Sequence, residues 1–316
     1  MCNNLPAMKL VCFIGLLLVS SCLLSAQPQP ATTGPPQSAI AAQLDQARQL
    51  NNAGKQGEAL TIVNRVLASD PNNYEANLMA GTLLDLKGDY DQARTYLQKA
   101  IELAPAKSKV QALRTMAVSY AFQCSLQQVS NCELQAYDMQ MKEQKFTDAA
   151  GTANELARMD LECGDVKAAG KWYQTGYDTA KRTTDVSEAD RDLWTFRWEN
   201  AQARIAAREG NRKQADDHVS AAKAALDKGK IPDQQRFYPY LTGYVAFYAG
   251  EYKAAVDQLQ TADQKDPFIL VLLAQAYEKL GNQAEAMKYY RQVLTINSHS
   301  PTNAFARPLA KKNLAS

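Results

Sequence analysis

With 316 residues, 46% of them apolar and 22% charged, the chain is long and apolar enough to bury a sizeable core, which excludes a disordered polypeptide. Thirty-five Lys and Arg stand against 33 Asp and Glu, with no basic or acidic block. The electrostatic footprint of a nucleic-acid binder is therefore missing.

The first element reads as a targeting segment. Lys9 precedes an apolar run from Leu10 to Leu24, and Ser25-Ala26 supply small residues for cleavage, so residues 1–26 are expected to be a signal peptide. The run falls short of the roughly 20 apolar residues that a membrane-spanning helix needs. Export to a periplasmic or envelope location follows as an expectation. Val19-Ser20-Ser21-Cys22 opens a second possibility, because it resembles a bacterial lipobox in which Cys22 is lipidated and tethers the chain. Residues 27–38 are Pro/Gln-rich and suit an extended linker.

Beyond the linker the sequence repeats itself. Gly54 and Ala59 with Asp70-Pro71 recur as Gly88 and Ala93 with Ala104-Pro105. The same skeleton of a small residue, a Gly, an Ala and then a larger apolar residue returns as Ala157, Gly164, Ala169, Tyr173 and as Ala203, Gly210, Ala215, Val219. Two further copies are Gly243, Gly250, Ala255, Leu259 and Ala274, Gly281, Ala286, Tyr290. A divergent copy starts at Leu113, Ala117 and Tyr120. Each copy reads as a helical hairpin. The small residue lets the first helix approach its partner, the Gly ends that helix at positive φ, and the Ala sits where the helices cross.

Residues from about 40 to 296 resemble tetratricopeptide repeats on this skeleton. The resemblance implies an all-α fold, a right-handed α-solenoid of about six to seven hairpins with an inner face lined by first helices. The blocks expected are N-terminal repeats over 39–124, divergent helical repeats over 125–192, C-terminal repeats over 193–296 and a capping tail over 297–316. Thr183 to Asp190 reads as an inserted polar turn, and Leu193 to Glu209 as one long first helix.

Three cysteines, Cys124, Cys132 and Cys163, lie beyond the leader, so at least one stays unpaired within the chain. A disulfide between Cys124 and Cys132 is expected, closing a short loop of turn-forming composition and contributing ~2 to 3 kcal/mol. Three reduced, buried thiols are the alternative, and Cys163 reads as packing.

Catalytic chemistry is not visible. The two His residues, His218 and His299, are far apart and lack ligand spacing, so no metal is expected. Neither a phosphate-binding Gly loop nor a nucleophile elbow occurs, so no cofactor and no enzymatic activity are expected. Binding residues are sought instead on the first helices. Phe237, Tyr240, Tyr244 and Tyr248 form an aromatic stripe, and Arg197, Asn200, Arg204 and Arg208 form a basic stripe on the preceding first helix. Side by side they would suit a protein or peptide bearing an acidic group or a free C-terminus. Alternatively the aromatics pack between repeats and the arginines pair with Glu199 or Glu209. The family's carboxylate clamp of Lys and Asn is not reproduced, since Leu44, Arg48, Leu78 and Thr82 stand at its positions in the first copies.

Overall fold

Each glycine that ends a repeat's first half fixes a hairpin turn, and the first of the well-capped ones shows how. In this computed structural model, which describes residues 37–315, helix α3 (Tyr74–Lys87) stops at Gly88, whose φ of 104° is open to glycine without a Cβ clash. The Gly88 and Asp89 amides then donate to the carbonyl of Leu84, and α4 (Tyr90–Leu103) returns antiparallel. Before them α1 (Gln37–Asn52) and α2 (Gln56–Ser69) make the first hairpin around Gly54.

The pattern continues through α5 (Lys109–Ala121) with α6 (Leu126–Lys142), α7 (Phe146–Cys163) with α8 (Val166–Ala180), and α9 (Glu188–Arg208) with α10 (Arg212–Asp227). A 3-10 turn, Pro232–Phe237, leads into α11 (Tyr238–Tyr248) with α12 (Tyr252–Leu259), and α13 (Pro267–Lys279) with α14 (Gln283–Leu294) completes the set. The described residues thus hold seven hairpins, packed in sequence order as an all-helical solenoid in one compact unit. No described helix is long and apolar enough to cross a membrane. The signal segment, Cys22 and most of the linker lie outside the described residues.

Close helix approach depends on the small residues. A Cβ on Gly243 of α11 would stand 2.6 Å from Leu259 Cγ, closer than Cβ atoms come in proteins, and 3.2 Å from the Leu259 backbone nitrogen, so α12 would have to shift. The crossing alanines Ala59, Ala93, Ala169, Ala215, Ala255 and Ala286 are all fully buried.

The polar insert is an irregular stretch between Ala180 and Ser187, after which the Ser187 side chain accepts the Asp190 amide at 3.0 Å and starts α9. That helix begins at Glu188, so the boundary placed between residues 192 and 193 falls inside an element.

Two expectations need correction. Cys124 bonds to Cys163, not to Cys132. Cys132 is buried and free on α6, in the apolar core with Val129 and Met159, and burial pushes its thiol pKa up to about 11. The helical path from Leu126 turns Cys132 into that core and away from the hairpin turn, whereas Cys163, at the end of the next first helix, comes within 5.5 Å of Cys124 between Cα atoms. Cys163 is therefore a crosslink. Cys124 itself occupies the turn position that Gly88 and Gly164 hold in neighbouring hairpins, with φ of 49°.

The tail does more than cap the last hairpin. Helix α15 (Pro301–Ala315) packs on α13 and α14 and also on α5 and α7, three of the four being first helices, so it lies against the inner face. Its approach segment reaches the first two hairpins. Asn51 donates to the Asn297 carbonyl at 3.0 Å, and His299 Nε2 lies 2.8 Å from the buried Asp85 carboxylate. Arg307 donates to the carbonyls of Leu86, Leu294 and Ile296 at 2.9, 3.2 and 3.0 Å, and Lys311 to that of Lys87 at 2.8 Å. Both cations sit at the C-terminal end of α3, where unpaired carbonyls and the helix dipole favour positive charge.

Candidate functional site

Equivalent positions on successive first helices can be matched by counting back from their turn glycines, Gly164, Gly210 and Gly250. Thirteen residues before them stand Gly151, Arg197 and Phe237, and ten before, Asn154, Asn200 and Tyr240. Six before are Arg158, Arg204 and Tyr244, and two before are Glu162, Arg208 and Tyr248. The basic stripe on α9 and the aromatic stripe, which runs from the last residue of the 3-10 turn into α11, are therefore in the same register, and α7 carries a third stripe in that register.

These three helices and the start of α15 border an open cavity of about 580 Å³. Arg197, Asn200, Arg204, Phe237 and Tyr240 line it, so five of the eight residues expected to face a ligand meet there. Arg208, Tyr244 and Tyr248 are not among its lining residues. Sequence reasoning missed Asn154 and Arg158 on α7, Tyr173 on α8, Phe196 on α9, Arg236 in the 3-10 turn, and Ser300 to Thr302 at the head of α15. The repeat register would have found the α7 residues; nothing local marks the contribution from α15.

Behind the cavity the two stripes meet on Glu162, whose side chain is 1% exposed. Arg204 Nη1 lies 3.6 Å and Arg208 Nη1 3.3 Å from its two oxygens, and the Tyr244 hydroxyl donates to it at 3.3 Å. Arg204 also donates to Tyr173 Oη at 2.8 Å and to Asn200 Oδ1 at 3.1 Å, and Arg208 to Tyr248 Oη at 3.1 Å. The acid that joins the arginines is thus Glu162 from the preceding hairpin. Glu199 instead lies 2.6 Å from His218 Nδ1. Burial raises the Glu162 pKa, opposed by Arg204, Arg158 and Arg208. Burial likewise raises Tyr240 and Tyr244, which stay neutral and able to donate.

The cavity mouth has a different character. Arg197 stacks its guanidinium 4.8 Å from the Trp194 ring, and Arg236 lies 4.8 Å from the Phe237 ring; both arginines are exposed. Exposed cations held over aromatic rings at a rim can meet a ligand without rebuilding the core. Among the described residues no group of three His, Cys, Asp or Glu is placed to hold a metal ion.

Tetratricopeptide-repeat family models match residues 50–117 and 269–300. Among solved structures, a tetratricopeptide repeat protein from Parabacteroides merdae ATCC 43184 resembles the chain with a TM-score of 0.52 at 11% identity, over 88% of this chain and 98% of that one. Nearly identical TPR-like repeats from Podosopora anserina give 0.50 at 17% identity, over 61% of this chain and 97% of theirs. No curated protein matches the sequence. At such identities the likeness is one of fold: the chain folds as an all-helical solenoid of TPR-like hairpins, with tetratricopeptide repeats matched at residues 50–117 and 269–300.

Proposed function

We propose that this chain is an exported, non-catalytic scaffold that holds a segment of another protein in the cavity bounded by α7, α9, α11 and the head of α15. Tetratricopeptide repeats serve generally as protein-interaction modules, and a repeat fold by itself names no partner. The observation that carries the reading is where the inner face stays uncovered. Helix α15 lies on α5, α7 and α13, while the cavity beside its first residues remains open, with Arg197 and Arg236 exposed at the rim. Export is supported by the leader and by the Cys124–Cys163 disulfide, which an oxidising compartment preserves.

The test is affinity capture from the envelope fraction of the source organism, comparing the wild type with an Arg197→Glu, Arg236→Glu double variant. Both changes are at exposed positions, so the fold survives and its helical circular dichroism is unchanged. Loss of a retained protein on the double variant supports the cavity as the binding site. Equal retention would move binding to the outer face or the ends. A second reading, an assembly factor anchored to the membrane through a lipid on Cys22, rests on Val19-Ser20-Ser21-Cys22. The mass of the processed N-terminus decides it: an acylated Cys22 supports anchoring, and a chain starting at Gln27 removes it.

A further inference from the structure

We infer that Glu133 and Glu155 share one proton across Arg114 and form a pH-sensitive switch in the wall of the solenoid. Losing that proton draws Arg114 from α7 onto α6 and frees Glu155 at the cavity. The switch stands whether or not the cavity holds a partner. Its first support is the repeat register. Nine residues beyond the turn position, the second helices carry Val63, Leu97, Tyr173, Leu259 and Tyr290, all buried, and Val219, half-buried. Counted from Cys124, the same position on α6 is Glu133. A carboxylate thus fills a place that six other copies give to an apolar or aromatic side chain. It is 0% exposed, and neither of its oxygens has a hydrogen-bond partner among the described residues.

The second support is one cation between two acids. Arg114 on α5 donates through Nη2 to Glu155 on α7, while its Nε, without an acceptor, lies 4.0 Å from Glu133 Oε2. Among the described residues no other cation pairs with either acid. The remaining titratable groups at the cluster are Cys132, beside Glu133 on α6, and Asp148 on α7, whose charge acts on Arg114. No ionisable side chain of α8 or α15 is bonded to the trio. With one proton for the pair the trio is neutral; with none it carries a net negative charge. That charge is costliest on Glu133, where no donor replaces the lost hydration. The proton therefore rests on Glu133, and Glu155, partly exposed and bonded to Arg114, is the charged member. Burial first, and then the charge of Glu155, raise the Glu133 pKa well above the usual carboxylate range, against Arg114. Once the proton passes to water, Glu133 needs a donor, and Arg114 Nε is the one in reach. Closing that gap pulls the guanidinium off Glu155, which lines the cavity together with Arg158 and Arg197. The wall then presents an acid that Arg114 masks at lower pH.

The test is an NMR titration of the ligand-free full chain, isotope-labelled at the glutamate carboxyl carbons, with the Glu133 signal assigned by its loss in Glu133→Gln. Glu133 should lose its proton at a higher pH than the exposed glutamates. Glu155→Gln should bring that midpoint down by about one pH unit or more, because it removes the like charge and leaves Arg114 free to close on Glu133. Amide exchange over α7, corrected for its intrinsic dependence on pH, should accelerate as the wild type passes through the Glu133 midpoint. Glu133→Gln and Glu133→Leu should both lack that step. Each puts a neutral side chain of similar size at a buried position, so both should stay folded and melt no lower than the wild type on the alkaline side of the midpoint. A Glu133 midpoint among those of the exposed glutamates, or one unmoved in Glu155→Gln, would overturn the shared proton. Exchange over α7 that ignores the midpoint in the wild type, or a step that persists in Glu133→Gln, would overturn the switch.

Discussion

Asp160, in the last turns of α7, is 2% exposed and its Oδ2 atom has no hydrogen-bond partner. Burial, with Asp165 nearby, raises its pKa from 3.8 to about 7. In the unfolded chain the group ionises near 3.8, so the stability it permits is complete below that pH. That stability falls as pH rises and is fully lost above about 7. Asp160→Asn should therefore be close to neutral below about pH 4 and stabilise the fold by about 1–3 kcal/mol above neutrality. Melting curves across that range would show the gap opening with pH; a gap that is constant or closes contradicts the assignment. At this scale the sequence was legible where chemistry repeats. The arginines of α9 and tyrosines of α11 could be read from their spacing, but Glu162, the acid that joins them, lies one hairpin earlier and shows only when the repeat register is carried back to α7.

The hairpin of α5 and α6 shows why one element obeyed the repeat skeleton and its turn did not. A Cys stands where the other first helices end in Gly, and a side chain at positive φ costs about 1–2 kcal/mol. The bond to Cys163 offsets this by closing a separation of 39 residues. Replacing Cys124 and Cys163 by Ala should cost about 3–4 kcal/mol in urea unfolding, and Cys124→Gly with Cys163→Ala should recover part of it by relaxing the turn. Alkylation without reductant should label Cys132 alone among the three once the chain is unfolded; three labelled sites contradict the bond. Helix existence was readable here from apolar spacing, and the pairing was not. Proximity in sequence favoured Cys132, whereas proximity in space is set by how α6 and α7 pack.

At the scale of the molecule, the segment from Asn297 to Lys311 ties the last hairpin to the first two. Arg307, 8% exposed, serves carbonyls at the end of α3 and after α14 at once. Arg307→Ala should cost about 2–4 kcal/mol, since charge-assisted bonds to buried carbonyls are lost together. Amide exchange in α1 to α4 should accelerate more than in α9 to α12; a uniform change would mean that the tail stabilises only its own neighbourhood. The solenoid was legible because each hairpin solves the same local problem with the same Gly and Ala. The reach of α15 was not, because no repeat unit encodes a contact between Asn51 and Asn297. Open arrays of this kind can lengthen or shorten by whole units, since every unit touches only its neighbours. In this chain the copy number has become part of the geometry: inserting or deleting one hairpin would carry His299 and Arg307 away from Asp85 and Leu86, so growth by duplication is closed to it unless the tail changes in step.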